Sequence, residues 1–387
     1  MKKLFIGIIL IFFAVAAFSD DTGTYIQIYN TALTNIEQYD LLKLFVEEAM
    51  PGMEDFYIYA LRRLIANYSN IREAPQFEAA DGQALLLSRE VAKGSNTAVA
   101  ADLWVIAEKF YNEYTRGEAM IALGKLKAGE YRPKIILFLN ELNAHRTEDR
   151  LYGERLANGA IIALEMYGEP SCYIPVYFAS KGWYSDPVKI QAQKSMDAIS
   201  SEPMPFMLEI LRNPSFTVTQ RYEVLQHVVT GNFSSTQKSD MAAAALAEAW
   251  RIFPSNSGDR MILSQIRKLS LSTIRENGLN DKSAYTSIER CYYNAIDINE
   301  KDDTINALAA LATDEAVRIL SVALMEMNSK LNSGRLTQED QQVTRLLINA
   351  IGRSGNRNGR SALLGVINSN WVNSIKNLAR DALMKLV

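Results

Sequence analysis

The sequence predicts an all-α fold built from stacked antiparallel helix pairs, and three observations predict it. Apolar residues recur at every third or fourth position over most of the chain. The alternating pattern of half-buried strands is scarce, and one helix–turn–helix pattern returns at intervals of about 40 residues.

Lys2 and Lys3 form a short positive segment, Leu4 to Ala17 is uncharged and mostly apolar, and Ala17-Phe18-Ser19 places small residues where a signal peptidase reads them. This is the three-part pattern of a secretory signal peptide, with cleavage expected after Ser19. The alternative is an uncleaved N-terminal anchor, but the apolar run is short of the roughly 20 residues of a membrane span and no basic flank follows it. No cysteine lies near the cleavage point, so a lipid anchor at that position is not expected, and no later segment has the apolar length of a membrane span.

Beyond residue 19 the chain reads as helical throughout. Ile36 to Ala49 and Met53 to Ala66 carry helical spacing on either side of Pro51-Gly52. Asn70 to Asp81 reads as a long loop, and Gln83 to Ala92 and Thr97 to Phe110 form a further pair. The clearest unit begins at Thr115-Arg-Gly-Glu118, which has capping-box spacing. Ala119, Ala122, Leu123 and Leu126 then share a face, Ala128-Gly129 breaks the helix, and Pro133 opens a second helix with Ile135, Phe138, Leu139 and Leu142 on its stripe.

The unit returns. Ala160, Ala163, Leu164 and Tyr167 repeat the first helix 41 positions after Leu123, Gly168 stops it, and Pro175 opens the next. Ser185-Asp186-Pro187 starts a third unit that runs through Met196 to Phe206, Leu208 and Leu211. Near the end, Ala307 to Leu311 and Asp314 to Leu320 form a pair, and Leu347 to Ile351 repeats the theme 40 positions on. Gly352 to Gly359 is a break, and Val372 to Leu386 is a terminal helix carrying Leu378, Ala382 and Leu383 on one face. The small residues let paired helices approach, while Leu and Ile fill the layer between pairs. One pair cannot bury both faces, so stability requires a stack.

Three stretches carry a family resemblance: Glu118-Ala-Met-Ile-Ala-Leu-Gly-Lys-Leu126, Ala310-Leu-Ala-Thr-Asp-Glu-Ala-Val-Arg-Ile-Leu320 and Ile348-Asn-Ala-Ile-Gly352. They resemble HEAT repeats, especially the short bacterial HEAT-like kind, over residues 115–212 and 303–387, with a blurred signature over 20–114 and 213–302. The strict 34-residue period of the rival tetratricopeptide repeat is not visible. The resemblance implies a right-handed superhelical α-solenoid of the armadillo type. Residues 1–19 are then a cleaved signal peptide, 20–114 an N-terminal helical region of degenerate repeats, and 115–387 the HEAT-like repeats with a C-terminal capping helix.

Charge and motifs narrow the function. Loss of residues 1–19 leaves 368 residues with 39 basic against 44 acidic side chains, a balance that argues against nucleic acid as a partner. Cys172 and Cys291 are 119 positions apart, between two and three repeat periods, and a linear stack cannot bring them within disulfide reach. Neither belongs to a metal-binding cluster. His145 falls in a polar turn and His227 among Val224, Leu225, Val228 and Val229. The iron-binding His-Glu dipeptides of certain HEAT-like enzymes are missing, as are phosphate-loop, serine-hydrolase and zinc-protease motifs. The acids, Glu47-Glu48 and Asp302-Asp303 among them, are spread over surfaces and caps. No cofactor or metal is expected.

Two segments are candidate partner sites. Arg353, Arg357 and Arg360 sit in a Gly- and Asn-rich turn that can offer guanidinium forks and backbone N–H groups to an anion, with solvated arginines as the alternative. From Gly355 to Val387 five basic residues face one acid, a field able to steer an acidic partner. Tyr173, Tyr177, Phe178, Trp183 and Tyr184 are dense enough to anchor a peptide, though such aromatics more often fill gaps between helix layers. The expected function is a non-catalytic extracytoplasmic scaffold, periplasmic or extracellular, that binds a protein or peptide partner in the cell envelope. In such a fold the second helices line the binding face. The alternatives are an envelope enzyme, or enzyme accessory subunit, that uses dispersed carboxylates, and a structural part of a larger envelope machine.

Overall fold

A computed structural model of the chain describes residues 22–48 and 52–386. The signal-peptide segment, its cleavage point after Ser19 and the Pro51 break lie outside the described residues. Among the described residues there are twenty α-helices, three short 3-10 helices and no strand. They divide into two compact units, one ending at Glu202 and one beginning at Pro203. Residues 200–203 belong to no helix, whereas the boundary expected at 114/115 falls inside a helix.

The N-terminal unit contains α1 (Thr22–Thr31), α2 (Asn35–Glu47), α3 (Glu54–Tyr68), α4 (Ala74–Val91), α5 (Ala100–Lys109), α6 (Glu113–Lys125), α7 (Arg132–Ala144), α8 (Arg150–Tyr167), α9 (Tyr173–Lys181) and α10 (Asp186–Ile199). Helices α2, α4, α6, α8 and α10 form one row in which each packs on the next. In the C-terminal unit α11 (Met204–Arg212), α13 (Ser235–Ala249), α15 (Ala284–Tyr293), α17 (Asp314–Asn332) and α19 (Arg360–Asn368) form one row. The second row there is α12 (Val218–Thr230), α14 (Ser257–Asn277), α16 (Ile298–Leu311), α18 (Gln338–Ser354) and α20 (Asn373–Leu383). Within each unit every substantial helix contact joins neighbours one or two places along the chain.

Polar ties between successive turns repeat at a near-constant interval. In the N-terminal unit Tyr167 donates to the Ala128 carbonyl at 2.8 Å, Trp183 to the Leu142 carbonyl at 2.7 Å and Tyr184 to Asn143 at 2.9 Å. In the C-terminal unit Ser239 donates to the Gly278 carbonyl at 2.7 Å, Trp250 to Cys291 Sγ at 3.2 Å and Trp371 to Asn328 at 2.6 Å. The separations run from 39 to 43 residues, matching the interval read from the sequence.

Three local expectations are corrected. Thr115 is not an N-cap: α6 starts three residues earlier on Asn112, whose side chain accepts from the Tyr114 and Thr115 amides, and Asn is as good a cap as Thr. Thr115 is buried and donates to the Asp81 carbonyl instead, while Glu118 pairs with Arg89. The stretch 70–81 is mostly helix. Pro75 stands in the first turn of α4, where it needs no donor, and Gly82 is kept helical with the Tyr39 ring packed where a Cβ would be. The small residues do not lie mainly within pairs. Gly117 and Gly124 of α6 face Gly159 and Ala163 of α8, so the close approach is between the first helices of successive pairs.

The apolar stripes are otherwise placed as their spacing requires. Ala119, Ala122, Leu123 and Leu126 are buried, as are Ala160, Ala163, Leu164 and Tyr167, with Gly168 left-handed at φ 65° as the stop. Cys172 and Cys291 are free thiols, each buried within its own unit. Leu123 is fully buried, so Leu123→Ala should cost about 2–5 kcal/mol, whereas Arg357→Ala on an exposed turn should stay within about 0.5 kcal/mol. Urea melts of the two variants check the ranking, and equal losses would contradict the placement of the helix face.

Candidate partner-binding groove

Arg353, Arg357 and Arg360 are all exposed, and Arg353 donates to Asn306 at 2.6 Å. The turn between them does not offer a row of free amides. The Asn356 side chain accepts from the Asn358 amide at 2.9 Å and donates to the Ala312 carbonyl and Asp314, and the Gly359 amide is taken by the Asn356 carbonyl. What the turn presents is guanidinium groups alone. Tyr173, Tyr177 and Tyr184 are core residues and Trp183 is half-buried with its N–H committed to Leu142, so this group fills gaps between helices and is not an exposed anchor. His145 is exposed and His227 is half-buried against Phe233. Among the described residues no cluster of three or more His, Cys, Asp or Glu is arranged to hold a metal, and no helix is long and apolar enough to cross a membrane.

A different site emerges in the C-terminal unit, on the row α11–α13–α15. Helix α13 starts at Ser234, which forms a capping box with Gln237, and runs through four consecutive alanines, the best helix formers. Met241, Ala242, Ala245, Leu246 and Ala249 turn inward. Asp240, Ala243, Ala244, Ala247, Glu248 and, past the helix end, Arg251 recur at three- and four-residue steps and line one cavity. Because the middle of this stripe carries only methyl groups, the α13 backbone itself is the floor. Leu208 and Arg212 of α11 form one wall, and Ala284 and Ser287 of α15 form the other, with Asp281 and Ser283 at its start. The cavity holds about 500 Å³.

A second cavity of about 550 Å³ shares Arg212, Glu248 and Arg251 with the first and extends toward Phe216, Arg221 and Ile252. Its charges are fixed by identifiable partners. Arg251 bridges Glu248 at 2.6 Å. Asp259 accepts from the Ser255 amide and from Asn256 as part of the α14 cap. Burial lowers the affinity of the Arg221 guanidinium for its proton, opposed in part by the Glu248 charge. At the far end of the first cavity the Ser283 hydroxyl and amide hold the Asp281 carboxyl below its ordinary range. Asp281 is therefore held toward its anionic form.

The sequence carries one signal for this site. A helix whose outward stripe is Ala243, Ala244 and Ala247, bracketed by Asp240 and Glu248, leaves one face with almost no side chain. Leu208 is a half-buried wall residue, while Met207, Ile210 and Leu211 fill the core. No protein-family model and no curated protein matches this chain.

Proposed function

We propose that the chain is a non-catalytic helical-repeat scaffold that holds a polypeptide partner in the groove on α11, α13 and α15. The observation that carries this reading is the groove itself: an alanine floor on α13, walled by its row neighbours α11 and α15 and rimmed by charges of both signs. A floor of methyl groups lets a second backbone come close, and the rim supplies orientation. Helix α11 is the second helix of the third unit read from the sequence, and in a HEAT-like right-handed superhelix the second helices form the usual binding face. The residue 1–19 pattern supports placing this scaffold outside the cytoplasm, where its partner would be a component of the cell envelope.

Filling the groove tests the reading. Ala247→Trp puts an indole over the floor at a half-buried position, and the exposed Arg357→Ala serves as a control of comparable surface change. In pull-downs from the native envelope, Ala247→Trp should lose the partner about tenfold or more at unchanged melting temperature, and Arg357→Ala should retain it. A partner kept by both variants would overturn the assignment of the groove.

A further inference from the structure

The C-terminal unit buries two arginines and treats them differently. Arg267 is 5% exposed and meets Glu300 at 2.5 Å. Arg221 is equally buried, yet no carboxylate stands within ion-pair range of it. Its guanidinium is held by two carbonyls instead: Nε donates to Phe216 at 3.2 Å and Nη2 to Asn213 at 2.8 Å. These two bonds fix the plane of the fork and leave Nη1 with no partner among the described residues. Arg221 lines the second cavity, as does the exposed Arg212, which makes no ion pair among the described residues. The two acids of that cavity are already committed, Glu248 to Arg251 and Asp259 to the α14 cap. The Glu248 charge is felt at Arg221 but Glu248 pairs directly with Arg251, and a buried cation with no direct ion pair is costly unless a ligand supplies one.

We infer that the cavity around Arg221 is a carboxylate pocket that takes an acidic side chain of a polypeptide lying in the α13 groove. The inference rests on the groove reading above and adds what the groove selects. A polypeptide fits better than a phosphate-rich polymer because the opposite end of the same groove carries Asp240 and Asp281, which repel a polyanion and favour a segment of mixed charge. Arg221, preset by its two carbonyls, forms the fork on which the acid docks, and the exposed Arg212 raises the local potential and guides its entry.

A positional-scanning library of fluorescein-labelled eight-residue peptides, read by anisotropy against the full chain, is the test. At one position of the bound peptides, Asp or Glu should outbind Asn or Gln by about tenfold, and phosphoserine should bring no further gain. Arg221→Met should abolish that preference, Arg221→Lys should keep part of it, and raised salt should weaken it. Thermal melts identify an Arg221 variant that fails to fold. Arg212→Ala, at an exposed position, then carries the test and should reduce the preference roughly threefold. Peptides that bind and are displaced by Ala247→Trp, but show no acid preference or keep it in Arg221→Met and Arg212→Ala, would overturn the pocket and leave the groove standing. A phosphoserine gain above tenfold would overturn the carboxylate assignment, and no peptide binding at all would overturn both.

Discussion

Glu300→Gln should destabilise the C-terminal unit by about 3–5 kcal/mol. Glu300 is buried and is the counter-charge of Arg267, which in turn lies 4.6 Å over the Trp250 ring, with Arg290 at 5.2 Å from the same ring. Trp250 donates to Cys291, and burial pushes that thiol up to about 12. Glutamine keeps much of the shape but removes the charge, leaving a guanidinium in the interior with nothing to balance it. Cys291 reports the loss directly, because a buried, protonated thiol reacts only when its surroundings open. Its labelling by a thiol reagent in native buffer should speed up by two to three orders of magnitude, on the order of the predicted free-energy change. Replacing both partners, Arg267→Met with Glu300→Leu, should recover most of the stability, since an apolar pair of similar volume needs no counter-charge. Labelling of Glu300→Gln within threefold of the parent would contradict the role given to this pair.

Gly159→Ala should destabilise the N-terminal unit by about 1–3 kcal/mol. In a solvent-facing helix the same change stabilises, by about 0.8–1.0 kcal/mol. The sign reverses here because a Cβ on Gly159 would stand 2.4 Å from the Gly117 Cα, and a backbone atom of α6 cannot swing aside. The helices α6 and α8 must separate, and the loss spreads to the Ala163 carbonyl, which lies 2.5 Å from where a Gly124 Cβ would be. Gly129→Ala is the matched control, because nothing lies within 4 Å of its added methyl. Urea melts and the labelling rate of the buried Cys172 read the effect. A stabilised Gly159→Ala would mean that the two helices do not approach as closely as described.

The helical architecture was legible because it rests on periodicity. The stripes Ala119–Leu126 and Ala160–Tyr167 bury the residues their spacing demands, and Gly168 and Pro133 punctuate as their backbone preferences require. Caps were less legible. Asn112 and Thr115 are both competent caps, and which one wins depends on the Asp81 carbonyl, which captures the Thr115 hydroxyl from another helix. The stretch Asn70 to Asp81 reads as a loop, and the Tyr39 ring that packs against Gly82 beyond it lies 43 positions away in sequence. The binding candidates were sought where side chains are conspicuous, in the arginine turn and the aromatic cluster. The groove is conspicuous for what its helix lacks, and its charges at Arg212, Glu248 and Asp281 come from α11, α13 and the turn before α15, which composition alone does not bring together.

Site-directed photo-crosslinking tests the groove most directly. A benzophenone-bearing residue at Ser287, on the α15 wall, is compared in the native envelope with one at Glu223, an exposed position on α12 away from the lining. The same polypeptide should crosslink from Ser287, with Glu223 giving little product, and the adduct should disappear when Ala247→Trp is added. Equal yields from the two positions, or an adduct that survives Ala247→Trp, would contradict the groove as the partner-binding surface.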